Sequence, residues 1–154
     1  KLGLDIMECL YIGISDGAHP WRKARVDLQG ALSVAPRAAD KAVTAIGTSG
    51  QSVTLTVPAA GAGQYHYICS VQMTKYATSA ITGNATPITV TTTNLPGSMA
   101  YTFETAQAVG TNSTRNNDYG LPLKSVTANL ATTVVCPSVT NSLWRVTVTY
   151  YAAL

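Results

Sequence analysis

Charge is scarce in this chain. Lys, Arg, Asp and Glu make up 11% of its 154 residues, against about a quarter in an ordinary globular chain. Ten basic and seven acidic residues leave a formal net charge of +3. That balance is too small to require a nucleic-acid partner. Aromatic residues reach only 7%. The cysteines are Cys9, Cys69 and Cys136, an odd and sparse set that does not read as a disulfide framework. A bridge between Cys69 and Cys136 stays open if their strands are neighbours. No apolar run approaches the ~20 residues of a membrane-spanning helix. The opening stretch Lys1 to Ile14 is broken by Asp5 and Glu8, so it makes a poor signal peptide.

What the chain does have is alternation. In Leu143-Trp144-Arg145-Val146-Thr147-Val148-Thr149-Tyr150-Tyr151, Trp144, Val146, Val148 and Tyr150 share one parity, and Arg145, Thr147 and Thr149 share the other. Side chains alternate across a strand with period two, so this is a strand with one packed and one wet face. It is long enough to be expected centrally in its sheet. Val53, Leu55 and Val57 alternate with Thr54 and Thr56 until Pro58 ends the run. Tyr65 to Tyr76 reads as a long strand with Tyr67, Cys69, Val71 and Met73 inward, and Ile88 to Thr93 as a β-branched strand. Tyr101 and Phe103 point one way, and Thr132 to Cys136 adds another strand. Asn94-Leu95-Pro96-Gly97-Ser98 is a turn, and Gly110 to Gly120 reads as a polar loop. Seven or eight short strands with turn signals between them predict an all-β protein, an antiparallel β-sandwich or jelly roll. A hydrophobic share of 46% supplies a core without a metal or disulfide. The solvent-facing surface is left to Thr, Ser, Asn and Gln.

Residues 1–40 differ from the rest. Helix and strand both fit Leu4 to Ile14, with Leu10, Ile12 and Ile14 favouring a strand late in the run. Ser15-Asp16-Gly17 is a turn. Arg25 to Val34 reads as a small hairpin, with Asp27 opening its turn and Gly30 supplying a residue that tolerates positive φ. Ala35 to Asp40 is a linker. The expected organisation is an N-terminal docking arm with a small β-hairpin, 1–40, followed by a sandwich body, 41–154.

No chemistry is prominent. His66 and Cys69 lie three apart, on opposite faces of a regular strand, so they cannot jointly grip a metal, and His66 reads as a partly exposed strand-edge residue. Glu104 and Asp118 are the one carboxylate pair that a glycosidase reading would use. Asp118, beside Asn116 and Asn117, is explained more simply by local capping of the backbone. Phosphate loops, nucleophile elbows and dinucleotide fingerprints are absent. No catalytic residue, metal or cofactor is expected. Trp21, beside Arg22, Lys23 and Arg25, is the best protein-docking anchor, because Trp and Arg dominate interface hot spots. Arg37 and Lys41 extend this basic segment. Asn112, Asn116, Asn117, Asp118 and Tyr119 make a candidate glycan or partner loop, and Tyr150 and Tyr151 a candidate aromatic platform. Trp144 reads as core.

Several segments resemble small structural proteins of tailed bacteriophages. They are His66-Tyr67-Ile68-Cys69-Ser70-Val71, Thr91-Thr92-Thr93-Asn94-Leu95-Pro96-Gly97, Pro122-Leu123-Lys124-Ser125, Ala131 through Pro137, and Trp144 through Tyr151. Arg25-Val26-Asp27-Leu28-Gln29-Gly30-Ala31-Leu32 is similar to a short β element near the start of phage virion proteins. The likeness covers residues 25–34 and 64–151. It implies a non-enzymatic virion component on the exterior of a phage particle. The expected role is a capsid decoration (cement) protein that binds the major capsid protein or another virion protein, as a homo-oligomer with a trimer favoured. The alternative is a receptor-binding or tail-fibre module recognising host glycans. Neither nucleic acid nor membrane is an expected partner.

Overall fold

The structure is a computed structural model that describes residues 38–154 in full and, before them, the backbone of four two-residue strands. The chain forms two compact units, Lys1–Arg37 and Ala38–Leu154. In the first, β1 (Gly13–Ile14) pairs antiparallel with β2 (Arg22–Lys23), and β3 (Arg25–Val26) with β4 (Leu32–Ser33). The second pairing, Arg25 opposite Ser33 and Val26 opposite Leu32, is that of the expected hairpin. The strand at Gly13–Ile14 meets the expectation for the end of that run; the turn at 15–17 lies outside the described residues.

The second unit holds eight strands: β5 (Lys41–Ile46), β6 (Val53–Val57), β7 (Tyr65–Ala77), β8 (Ile88–Thr93), β9 (Ala100–Phe103), β10 (Asn112–Lys124), β11 (Thr132–Cys136) and β12 (Ser142–Ala153). They form two four-stranded antiparallel sheets, ordered β10-β7-β12-β5 and β6-β11-β8-β9. The pairings nest: β5 with β12, β6 with β11, β7 with β10, and β8 with β9. A long hairpin of four strand pairs, rolled so that alternate pairs fall in opposite sheets, gives this order. It is the jelly-roll arrangement of two Greek keys. The last strand, β12, lies between β7 and β5, inside its sheet as its pattern predicts.

The core fills the space between the sheets. Val53, Leu55 and Val57 enter from β6, Val134 and Cys136 from β11, Val90 from β8 and Phe103 from β9. Ile68, Val71 and Met73 of β7 and Trp144, Val146 and Val148 of β12 meet them. Each such aliphatic or aromatic side chain contributes about 1.5–3 kcal/mol on burial. Trp144 is fully buried, and its Nε1–H donates to the Pro137 carbonyl at 2.9 Å. Gly47, after β5, sits so close to β6 that a Cβ there would lie 2.2 Å from Cγ2 of Val53. Gly97 and Asn94, at φ 67° and 58°, make the turn into β9.

One irregularity changes the face that half of β7 presents. Thr149 of β12 pairs with Ser70, but Tyr150 pairs with Ile68, leaving Cys69 as an extra residue. On the other side, Asp118 pairs with Ser70 and Leu123 with Ile68, so Tyr119 to Pro122 loop out opposite the same point. A bulge of this kind resets strand parity. The expectation that Tyr67 and Cys69 point inward with Val71 and Met73 is therefore corrected: His66 and Ile68 are buried before the bulge, Val71 and Met73 after it, and Tyr67 and Cys69 are only half-buried. Cys69 and Cys136 are free thiols.

Candidate functional site

Of the expected docking cluster, Trp21 lies outside the described residues, and Arg22, Lys23 and Arg25 are described by their backbone pairing. Cys9 and His19 also lie outside them.

The second candidate, the polar loop, is a strand. Residues Asn112 to Asp118 pair continuously with Tyr76 to Ser70 of β7 and form one edge of the sheet. Asn and Asp are poor strand formers. Here the pairing with β7 overrides their preference, and a solvated edge carries the polar side chains at little cost. Asn112, Asn116 and Asp118 are exposed and share the face turned away from the core, while Asn117 is half-buried on the other face. Tyr119 is not a free surface aromatic. It packs against the core, and its hydroxyl lies 2.5 Å from that of Tyr101. Desolvation, followed by that hydrogen bond, raises the Tyr101 phenol above its ordinary range. Arg115 reaches the same seam, donating from Nε to the Thr102 carbonyl at 3.2 Å. The edge strands β9 and β10, which belong to different sheets, are thus stitched by side chains. The aromatic platform is corrected as well: Tyr150 and Tyr151 are buried, and Tyr151 stacks on Tyr67 with centroids 4.9 Å apart.

The exposed face of the β6-β11-β8-β9 sheet is uncharged. None of its four strands contains Asp, Glu, Lys or Arg. Thr54, Thr56, Thr89, Thr91, Thr93 and Thr102 are exposed on it, with Thr133 and Val135 half-buried between them. Register sets these hydroxyls in rows, Thr133 standing between Thr56 and Thr93. Thr93 and Thr133 bond to one another at 2.7 Å. The opposite sheet repeats the device with Thr44–Thr147 at 2.9 Å and Ser70–Thr149 at 2.7 Å. Threonine pairs across a ladder add strand stability without charge.

Among the described residues no three His, Cys, Asp or Glu side chains gather as a metal site. Glu104 follows β9 beside an open depression lined by Asn84, Ala85, Pro87, Phe103, Thr105 and Ala106, and Asp118 is not part of that lining. Lys75 is fully buried and donates to the Glu104 backbone carbonyl. Burial lowers its pKa, with the Glu104 charge opposing. Burial pushes the Cys136 thiol up to about 12 and raises Cys69 as well, there assisted by Asp40.

Sequence reasoning placed His66 at an exposed strand edge, and this too is corrected. Its side chain is 1% exposed. Nε2 lies 2.8 Å from the Pro58 carbonyl and Nδ1 2.9 Å from the Thr132 hydroxyl. A carbonyl only accepts, so Nε2 carries the proton and Nδ1 accepts from Thr132. The sequence signal was parity with Ile68, which the bulge at Cys69 disguises.

No helix among the described residues is long and apolar enough to cross a membrane. No protein-family model matches the chain, and no curated protein matches it. Among solved structures it is similar to a chain of the cyanophage Pam1 capsid asymmetric unit, at 19% identity and a TM-score of 0.36, over 82% of this chain and 96% of that one. The overlap is too loose in geometry to carry a functional argument.

Proposed function

We propose that the protein is a structural component of a tailed-phage virion, a decoration protein that binds the major capsid protein and stabilises the head. The observation that carries this reading is the nested eight-strand jelly roll with an uncharged, threonine-covered outer sheet. Jelly rolls build viral shells and lectins alike, so this is an argument by fold analogy joined to the sequence resemblance. A decoration protein works by adding buried interface that resists internal pressure, and it needs no catalytic group. The hydroxyl-bonded faces suit a rigid, persistent shell element.

In this reading residues 1–40 are the attachment arm and Trp21, Arg22, Lys23 and Arg25 its anchor. Self-association as a trimer would bury the strand edges that a lone sandwich leaves open. The test is deletion of residues 1–40 followed by binding to capsids lacking the protein. The truncated body should remain folded by circular dichroism and lose capsid binding. Full occupancy by the truncated chain would refute the reading.

A second reading, a receptor-binding or tail-fibre module for host glycans, is favoured by one observation: Asn112, Asn116 and Asp118 are exposed on one face of β10. Glycan-array binding that is lost in Asn116→Ala and Asp118→Ala would select it over decoration.

A further inference from the structure

We infer that His66 is a proton-operated latch that holds together the loops at one end of the jelly roll. Three connections lie at that end: β6 to β7 and β10 to β11, which cross between the sheets, and the hairpin turn from β8 to β9. The His66 imidazole bonds the first at the Pro58 carbonyl and meets the start of β11 at Thr132. Thr132 also accepts from Asn94 Nδ2 at 3.3 Å. Asn94, in the second connection, holds the third: its Oδ1 accepts from Thr127 N at 2.8 Å, its carbonyl accepts from Val126 N, and its Nδ2 donates to the Leu130 carbonyl. The His66 backbone closes the circuit, donating to Ser125 Oγ at 3.0 Å and accepting from Ser125 N at 2.8 Å.

The circuit works only with a neutral ring. Thr132 has one hydroxyl proton and gives it to Nδ1. Once Nδ1 is protonated, both groups are donors along the same line. The Thr132 proton must then find another acceptor in a buried site, or the contact opens. The charge would also be unmatched. The Tyr150 ring of β12 stands at 81° to the imidazole, with centroids 5.6 Å apart, and carries no carboxylate. Lys41 of β5 is the charge that bears on His66, and it is repulsive. The strands β6, β8, β9 and β11 offer no carboxylate. Burial, against the favourable Pro58 bond, holds the pKa of His66 below its ordinary 6.5. The bonds formed by the neutral ring are therefore complete above pH 6.5 and are weakened as pH falls below it. This inference is independent of the capsid reading, since it concerns the fold alone.

The test is amide hydrogen exchange on the full-length protein between pH 7.5 and 4.5, corrected for the intrinsic pH dependence, with the His66 ring followed by NMR. His19→Gln leaves His66 as the one titrating imidazole. Opening at Val126, Thr127 and Asn129 should become at least about tenfold more frequent as His66 protonates, while Val146 and Val148 in β12 stay protected. His66→Gln supplies one acceptor and one donor in any charge state and should abolish the response. Flat loop protection through the His66 titration overturns the inference. So does an acid response that persists in His66→Gln. Should that variant fail to fold, the wild-type titration alone decides: loop opening that tracks His66 protonation supports the latch, and any other midpoint refutes it.

Discussion

Trp144 and Phe103 meet edge to face across the sandwich, their ring centroids 5.0 Å apart and their planes at 84°. One belongs to β12 of the first sheet and the other to β9 of the second, so this contact joins the two layers. Edge-on aromatic pairs add about 0.5–1.5 kcal/mol beyond the area they bury. Trp144→Ala removes the pair, opens a large cavity and orphans the Pro137 carbonyl. A loss of about 3–5 kcal/mol is expected by urea denaturation. Trp144→Phe, which keeps much of the ring volume, should cost clearly less.

The Tyr101–Tyr119 bond at the β9–β10 seam predicts measurable coupling between edge strands of opposite sheets. The single variants Tyr101→Phe and Tyr119→Phe each leave one half-buried hydroxyl without its partner, and the double variant removes both. The double-mutant cycle should give a coupling of about 0.5–1.5 kcal/mol in denaturation experiments. Additive effects would mean that the hydroxyls find other partners.

Which of these features the chain announces in advance depends on whether they are periodic. Val53-Thr54-Leu55-Thr56-Val57 and the run around Trp144 declare their strands because each buries one clean face. A sandwich or jelly roll follows from their number and spacing, and the pairing order of the strands decides for the jelly roll. Lys41 to Ile46 does not announce its strand because its alternation is shallow: only Val43 and Ala45 turn inward, at a sheet edge. Asn112 to Asp118 reads as a loop because its residues prefer turns, and nothing local reveals that β7 is long enough to pair with it. The burial of His66 and the half-burial of Cys69 depend on a one-residue bulge set by two partner strands. A bulge is a property of register, and register is written in no single segment.

Gly47 marks a tight approach that a single methyl group tests. Its backbone φ is not in the left-handed region, so any cost of Gly47→Ala is steric. A Cβ 2.2 Å from Val53 Cγ2 forces either a new Val53 rotamer or a shift of β6. Destabilisation of about 1–3 kcal/mol is expected. The companion variant Val53→Ala, which removes the obstructing methyl groups, should recover part of it.

The two described cysteines should differ from an ordinary thiol in the same direction and to different degrees. Cys136 is fully buried and its pKa is pushed up to about 12, so almost no thiolate exists at neutral pH. Alkylation of the native protein at pH 8, read by mass spectrometry of peptides, should spare Cys136 until the fold opens. Half-buried Cys69 should react first of the two, although more slowly than a free thiol. Equal labelling of both would mean that the sandwich opens readily near β11.

Lys75 is the residue whose removal should improve the fold. It is fully buried and its ammonium group donates to the Glu104 backbone carbonyl. Burial lowers its pKa from 10.5, so in the window just below that value the unfolded chain holds the proton more tightly than the folded one. By linkage, stability from this group rises with pH through that window and levels off above 10.5. Lys75→Met fills the same space without a charge to desolvate. The variant should exceed the wild type by on the order of 1–2 kcal/mol at pH 7. The gap should narrow as pH climbs from 8 toward 10. The two proteins differ at this one position, so the difference between the two denaturation series isolates the lysine. A gap that stays constant across this range would mean that the folded state keeps the Lys75 ammonium as well solvated as the unfolded chain does.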